Sequence, residues 1–180
     1  MKLAIIGGSL LKQIDALSDV SEEHVKTPFG EPSDVFITGT IDDIEVVYCN
    51  RHGISHHIAP HQIDYKANRV ALKVLDVSHV LAVTAVGGIT EKMSPMKWVV
   101  PDQIIDYTHG RMQTYNDSKD KEVQHIDFSD PFDDMLSNKI IHSLQVAGCD
   151  FEPRGTYGVT QGPRLETAAE IKRMCRDGCD

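Results

Sequence analysis

Apolar and polar positions change period several times along this chain, and each change marks an element. Residues 3–6 form an unbroken apolar run, the pattern of a parallel strand covered on both faces. The run ends abruptly in Gly7-Gly8-Ser9. Residues 36–41 and 44–50 are β-rich and separated only by Asp42-Asp43, which is hairpin spacing without the favoured glycine. Over residues 62–76 the period lengthens. Ile63, Ala67, Val70 and Val74 share one helical face, with Lys66, Arg69 and Lys73 on others. Residues 79–83 form a further apolar strand. Residues 98–100 and 103–107 read as strand segments broken at Pro101.

The remaining segments carry weaker patterns. Residues 10–25 read as a short helical turn followed by loop. The polar stretch 108–127, with a charged patch near residues 119–122, reads as a long, mobile surface excursion. Asp130-Pro131 suits a helix start, with Asp130 as N-cap and proline at the first helical position. Leu136, Ile140 and Leu144 continue that helix, and Gly148 stops it. Residues 156–160 form a short strand. Thr167-Ala168-Ala169-Glu170 is a capping box opening a last helix, which Gly178 ends. No repeat or second-domain boundary shows, so residues 1–180 are expected to form a single α/β domain.

Composition narrows the function classes. The chain has 180 residues, 41% hydrophobic and 25% charged, within the range of globular proteins. No apolar run approaches the roughly 20 residues of a membrane span, and the first residues do not read as a secretory leader; a cytoplasmic protein with no membrane partner is expected. The net charge of −9 argues against a nucleic-acid partner. None of the four cysteines forms C-x-x-C, and reduced, packing cysteines are expected. His56, His57 and His61 cluster without acidic co-ligands at useful spacing, so no metal is expected.

Four strands end in unusual loops: Gly7-Gly8-Ser9, Arg51-His52-Gly53, Thr84-Ala85-Val86-Gly87-Gly88 and Gln161-Gly162-Pro163-Arg164. In open α/β sheets ligands bind beyond the carboxyl ends of the strands, so these loops are expected to meet at one site. Ser9, Arg51, His52, Thr84 and glycine-exposed amides are donors suited to phosphate. Each residue also has a plainer reading: Gly7-Gly8 as a tight turn, Arg51 as a surface cation, His52 as a hydrogen-bonding residue, Thr84 as packing. Their shared strand-end position favours the anion site. The first turn lacks G-x-G-x-x-G, which disfavours a dinucleotide-binding oxidoreductase.

Together, Ile5-Ile6-Gly7-Gly8-Ser9, the 51–56 segment, Thr84-Ala85-Val86-Gly87-Gly88, His125 and Gly162-Pro163-Arg164-Leu165-Glu166-Thr167 resemble the purine nucleoside phosphorylase superfamily. They are most similar to its 5′-methylthioadenosine and S-methyl-5′-thioinosine phosphorylase branch. The resemblance spans the chain. It implies a single-domain, three-layer α/β fold with a mixed central sheet flanked by helices, in a homotrimer. It implies phosphorolysis of a purine nucleoside to free base and a 1-phosphosugar, with inorganic phosphate as co-substrate and no cofactor. Ser9, Arg51, His52 and Thr84 would hold the phosphate, and His56 would lie near phosphate and sugar. Ala85 and Leu165 would line the purine, and His125 would reach a neighbouring subunit's site.

Glu166 bears on specificity. Where adenosine-type members place a small hydroxyl residue, this chain has a carboxylate, which only accepts hydrogen bonds. It suits the N1–H of a 6-oxopurine, whereas the unprotonated N1 of adenine would face it acceptor to acceptor. S-methyl-5′-thioinosine is therefore the favoured substrate, with 5′-methylthioadenosine or a general purine nucleoside as the alternative. Glu166 also reads as a helix N-terminal charge favoured by the dipole. The family's Met-Thr pair and its Asp or Asn at the purine N7 have no counterpart among these residues. On that reading the family's catalytic Asp or Asn lies beyond Asp180, the chain is a C-terminally truncated protein or a fragment of a longer one, and the full-length parent is expected to be active while this chain alone is weak or inactive. The competing readings are a nucleosidase using water and an inactive, oligomerising fragment.

Overall fold

The initial apolar run becomes the inner strand of a mixed sheet. In the computed structural model, which describes residues 1–8, 11, 13–115 and 122–180, the chain divides into two compact units, Met1–Val86 and Gly87–Asp180. The first unit holds β1 (Lys2–Gly7), β2 (Ser18–Glu23), β3 (Phe36–Ile41), β4 (Ile44–Asn50) and β5 (His79–Ala82) in the order β2-β3-β4-β1-β5. β1 runs parallel to both β4 and β5, while β2, β3 and β4 pair antiparallel. The β3–β4 hairpin forms as its spacing predicts, and Asp42 takes the positive φ of 50° that a glycine would otherwise supply.

The core of this unit joins Ala4, Phe36, Val47 and Cys49 of the sheet to Ala71 and Leu72 of α1 (Tyr65–Val74). Asp64 caps α1 by accepting from the Ala67 amide at 2.8 Å. The buried face of α1 differs from the expected one. Lys66, Ala67, Asn68, Ala71 and Leu72 are buried, whereas Val74 is exposed. Two interactions turn the helix this way. Asn68 satisfies its amide on Ser33, accepting from the Ser33 N–H and donating to its Oγ, both at 2.8 Å. Lys66 places its ammonium 5.6 Å from the centre of the Phe29 ring.

β2 overturns the reading of residues 10–25 as helical turn and loop. All six of its residues are exposed, so no alternating pattern marks it. Its partner strand defines it instead. Ser18 pairs with Thr40 and Ser21 with Thr38 through hydroxyl contacts of 2.9 and 2.7 Å. Its acidic residues suit an edge strand that must not pair further.

The second unit holds two short parallel pairs: β6 (Trp98–Val99) with β8 (Phe151–Glu152), and β7 (Gln103–Asp106) with β9 (Thr156–Val159). Helix α2 (Asp134–Val146) starts later than expected. Asp133, not Asp130, is its N-cap and accepts from the Leu136 amide at 2.7 Å. A carboxylate three residues before that amide satisfies an orphan donor, and the Pro131 position remains outside the helix. Leu136, Ile140 and Leu144 are half-buried on one face, as their spacing predicts. Helix α3 (Ala168–Asp177) has the expected capping box, with both Thr167 and Glu170 engaged, and ends at Gly178 in the left-handed region at φ 95°.

Asp180 ties several segments of this unit together. Its carboxylate accepts from the Thr156 amide at 3.0 Å and pairs with Lys92 at 3.0 Å, and its carbonyl accepts from the Ile89 and Thr90 amides. All four cysteines are free thiols. Among the described residues no helix is long and apolar enough to cross a membrane.

Candidate active site

Parallel register puts the carboxyl ends of three strands side by side. Gly7 at the end of β1 lies opposite Asn50 at the end of β4, and Ile6 lies opposite Ala82 at the end of β5. The chain leaving each strand therefore emerges at one edge, bringing Gly8, Arg51 and Thr84 together. The Val83 amide extends the ladder by donating to the Ile6 carbonyl at 2.9 Å.

Arg51 crosses all three strand ends. Its Nη1 donates to the Gly7 carbonyl at 3.1 Å and to the Val83 carbonyl at 3.2 Å, and its Nη2 donates to Thr84 Oγ1 at 2.9 Å. A side chain at Gly8 would place its Cβ only 2.6 Å from Nη1 and 2.8 Å from Cζ. Glycine at this position is thus a steric requirement of the guanidinium. Thr84 and Ala85 are exposed beside it. A guanidinium held across three strand ends, with an exposed hydroxyl beside it, has the chemistry that suits an anion.

Tyr48 supports the turn from below. Its ring fills the space beside Gly7, where a Cβ would meet Cε2 at 2.9 Å. Its hydroxyl contacts the Leu11 carbonyl and lies 2.7 Å from Asn50 Oδ1. The hydroxyl thereby links the chain after β1 to the end of β4. Burial first, then the neighbouring Cys49 and Asp34, push this phenol up to about 12. Its proton stays in place, so the link is a neutral donor. Nothing in the spacing of Tyr48 within an apolar strand marked it as a support for the turn.

His52 is only 8% exposed. Its Nδ1 lies 2.8 Å from the Ile58 carbonyl, which can only accept, so Nδ1 carries the proton. Burial is the main cause that holds its pKa below the ordinary value; the hydrogen bond to Ile58 opposes this, and Arg51 and His56 add to it. The ring is therefore neutral near pH 7, with Nε2 bearing a lone pair. The His52 and His56 ring centres are 4.6 Å apart, with His56 at a positive φ of 53° after Gly53. The tight 50–58 turn is closed by Gly53 N–H to Asn50 O at 3.0 Å and Ile58 N–H to His52 O at 3.0 Å.

Of the residues expected to hold phosphate, Arg51 and Thr84 are in direct contact, and His52 follows Arg51 in the chain. Ser9 lies outside the described residues. Leu165 and Glu166 belong to the second unit. Leu165 is 86% exposed, and Glu166 is half-buried just before α3. His125 is exposed in the irregular segment 122–128.

The fourth strand-end loop also belongs to the second unit. The Gln161 side-chain oxygen accepts from the His109 amide at 3.2 Å and from Arg111 Nε at 3.1 Å, and Arg111 Nη2 donates to the Gln161 carbonyl at 2.8 Å. This pair anchors the start of the 108–127 excursion. Both residues are far apart in sequence, which hides their pairing from a local reading. Residues 116–121 of the excursion, and with them most of its charged patch, lie outside the described residues.

Known proteins match this chain over nearly its whole length. The phosphorylase superfamily matches residues 2–180. A probable S-methyl-5′-thioinosine phosphorylase from Xanthomonas campestris pv. campestris is 44% identical over 178 residues, covering 99% of this chain and 71% of that protein. A 6-oxopurine nucleoside phosphorylase from Pyrococcus furiosus is 42% identical over 177 residues, covering 95% of this chain and 65% of that protein. The crystal structure of methylthioadenosine phosphorylase from Schistosoma mansoni in complex with adenine superposes with a TM-score of 0.95 at 31% identity, covering 99% of this chain and 72% of that one. The chain belongs to the phosphorylase superfamily.

Proposed function

We propose that this chain serves the phosphorolysis of a 5′-methylthio purine nucleoside, with S-methyl-5′-thioinosine as the favoured substrate. The products are a free purine base and 5-methylthioribose 1-phosphate, in purine and methylthio salvage. Family membership and its relatives support a pentosyltransferase of the purine nucleoside phosphorylase type. The observation that carries the phosphate half of this reading is Arg51, fixed across three parallel strand ends with Thr84 and Gly8 beside it.

In phosphorolysis the sugar develops cationic character as the base leaves. Phosphate is both nucleophile and counter-charge, so the protein's task is to position and desolvate it. Ser9, Arg51 and Thr84 supply donors. His52, with its proton committed to Ile58, offers Nε2 as an acceptor for the P–OH of monohydrogen phosphate. His56 lies near phosphate and sugar, and Ala85 and Leu165 line the purine. Glu166 accepts from N1–H of a 6-oxopurine. In this reading the protein works in the cytoplasm as a homotrimer, with His125 beside the 5′-methylthio group of a neighbouring subunit's site. Phosphate is a co-substrate and no cofactor takes part.

The test is base release from S-methyl-5′-thioinosine and S-methyl-5′-thioadenosine, with and without phosphate. Hypoxanthine release that requires phosphate, and exceeds adenine release, is expected. Release undiminished without phosphate would sink phosphorolysis, and equal use of both nucleosides would sink the 6-oxo preference.

A further inference from the structure

The loop that carries Glu166 is held by a group with no part in the reaction described above. Glu170, in the first turn of α3, takes both ends of the Arg164 guanidinium: Nη1 to Oε2 at 2.8 Å and Nη2 to Oε1 at 2.7 Å. The same Oε2 accepts from the Thr167 amide at 2.7 Å. Arg164 Nη1 also donates to the Leu165 carbonyl at 3.0 Å. Glu166 therefore sits between two backbone groups, the Leu165 carbonyl and the Thr167 amide, that one ion pair grips.

A two-thirds exposed guanidinium in such a pair adds little to stability. Its planar, two-point geometry instead fixes direction. The alternative partner is two positions along the chain: the charge of Glu166 also acts on the Arg164 guanidinium, behind that of Glu170. Among the described residues Glu166 itself takes part in no hydrogen bond or ion pair. One guanidinium thus feels the charge of two carboxylates and is hydrogen-bonded to one of them.

We propose that Glu170 is a positioning residue for base recognition: by occupying Arg164 from both ends it keeps the guanidinium off Glu166 and leaves that carboxylate open to the purine. The proposal rests on the reading of Glu166 as the residue facing N1 of the base. In Glu170→Gln the neutral amide no longer competes for Arg164. The guanidinium turns to Glu166, and the carboxylate that should read N1–H is masked.

Three variants test this through KM for S-methyl-5′-thioinosine and S-methyl-5′-thioadenosine, with KM for phosphate as an internal reference and a thermal midpoint for each protein. Glu170→Gln should raise KM for the 6-oxo substrate on the order of tenfold, as loss of one charged hydrogen bond would. It should leave KM for phosphate within about twofold, since the phosphate donors Arg51 and Thr84 stand in another unit. Adding Arg164→Met to Glu170→Gln should recover much of the selectivity, because no guanidinium remains to capture Glu166. A purely structural role predicts the reverse, a double variant as impaired as the single one or worse for both nucleosides. That result, or unchanged selectivity in Glu170→Gln, overturns the proposal. Should Glu170→Gln be too unstable to assay, Arg164→Lys replaces the planar fork by a point charge; retained selectivity in that variant overturns it equally. Glu166→Gln separates the two levels. If it leaves the 6-oxo preference intact, the reading of Glu166 fails and this proposal with it. If it abolishes the preference while Glu170→Gln does not, only the role of Glu170 fails.

Discussion

The guanidinium of Arg51 occupies the space that a side chain at Gly8 would need. The two residues are 43 positions apart in sequence (51 minus 8) yet share one surface, because β1 and β4 run parallel and end level. A methyl group at Gly8 must push Arg51 off the Gly7 and Val83 carbonyls. Gly8→Ala should therefore cost about 1.5–3 kcal/mol of charged hydrogen bonding, or on the order of 10- to 100-fold in KM for phosphate. KM for the nucleoside should move far less. Steady-state kinetics with each substrate varied in turn checks this, and equal losses for both would show that the turn merely supports the fold.

The hydroxyl of Tyr48 makes a separate prediction. It joins the chain after β1 to Asn50, within a side chain that is 2% exposed. Tyr48→Phe keeps the ring against Gly7 and removes only the link. Leaving the half-buried partner groups unsatisfied should cost about 1 kcal/mol, which lowers the thermal midpoint by roughly 2–4 °C in a chain of this size. An unchanged midpoint would mean that water replaces the hydroxyl without loss.

Much of this arrangement is legible in the sequence, and the reasons differ by residue. Arg51, His52 and Thr84 announce themselves because a polar donor directly after an apolar strand is conspicuous, and parallel strands must end at a common edge. The Thr167–Glu170 capping box is equally local. β2 is not legible, because its residues are polar on both faces and only the pairing with β3 makes them a strand. The buried face of α1 is misread at Val74 because Asn68 and Lys66 find partners, Ser33 and Phe29, that lie more than 30 residues away in sequence. The grip of Arg164 on Glu170 depends on rotamers, which spacing alone does not specify.

Thiol chemistry offers a prediction independent of the site. Cys49 is buried in the sheet, and burial, helped by Asp34 and opposed by Arg51, pushes its pKa up to about 12. Cys175 is exposed on α3. At pH 8 a thiol reagent should modify Cys175 rapidly and leave Cys49 intact in the folded protein, since the thiolate is the reactive form. Mass spectrometry of partially labelled protein reads this directly, and early modification of Cys49 would contradict its burial.

The buried imidazole of His52 makes stability depend on pH in a known direction. Its folded pKa lies below the ordinary 6.5. The unfolded chain therefore binds a proton more readily, and stability is complete above about pH 6.5 and falls as pH drops through the folded value. His52→Asn retains a donor for the Ile58 carbonyl but cannot charge. Its thermal midpoint should fall less between pH 7.5 and pH 5 than that of the unaltered protein. Parallel curves would show that His52 titrates as it does in the unfolded chain.

Glu170 has the opposite chemistry and a lower window. Hydrogen bonding to Arg164 first, and to the Thr167 amide next, lowers its carboxyl from the ordinary 4.5 to about 2. A carboxyl depressed in the folded state contributes stability above its unfolded pKa and loses that contribution as pH falls through the folded one. The window is thus about pH 4.5 to 2, below the His52 transition. Many carboxyls titrate there, so the informative quantity is a difference. The gap in thermal midpoint between the unaltered protein and Glu170→Gln, small for so exposed a pair, should be constant from pH 7 to 5 and close progressively below that. Added salt should narrow it at neutral pH, because the pair is open to solvent. A gap that persists undiminished to pH 2 would mean that Glu170 acts through packing and not through its charge on Arg164.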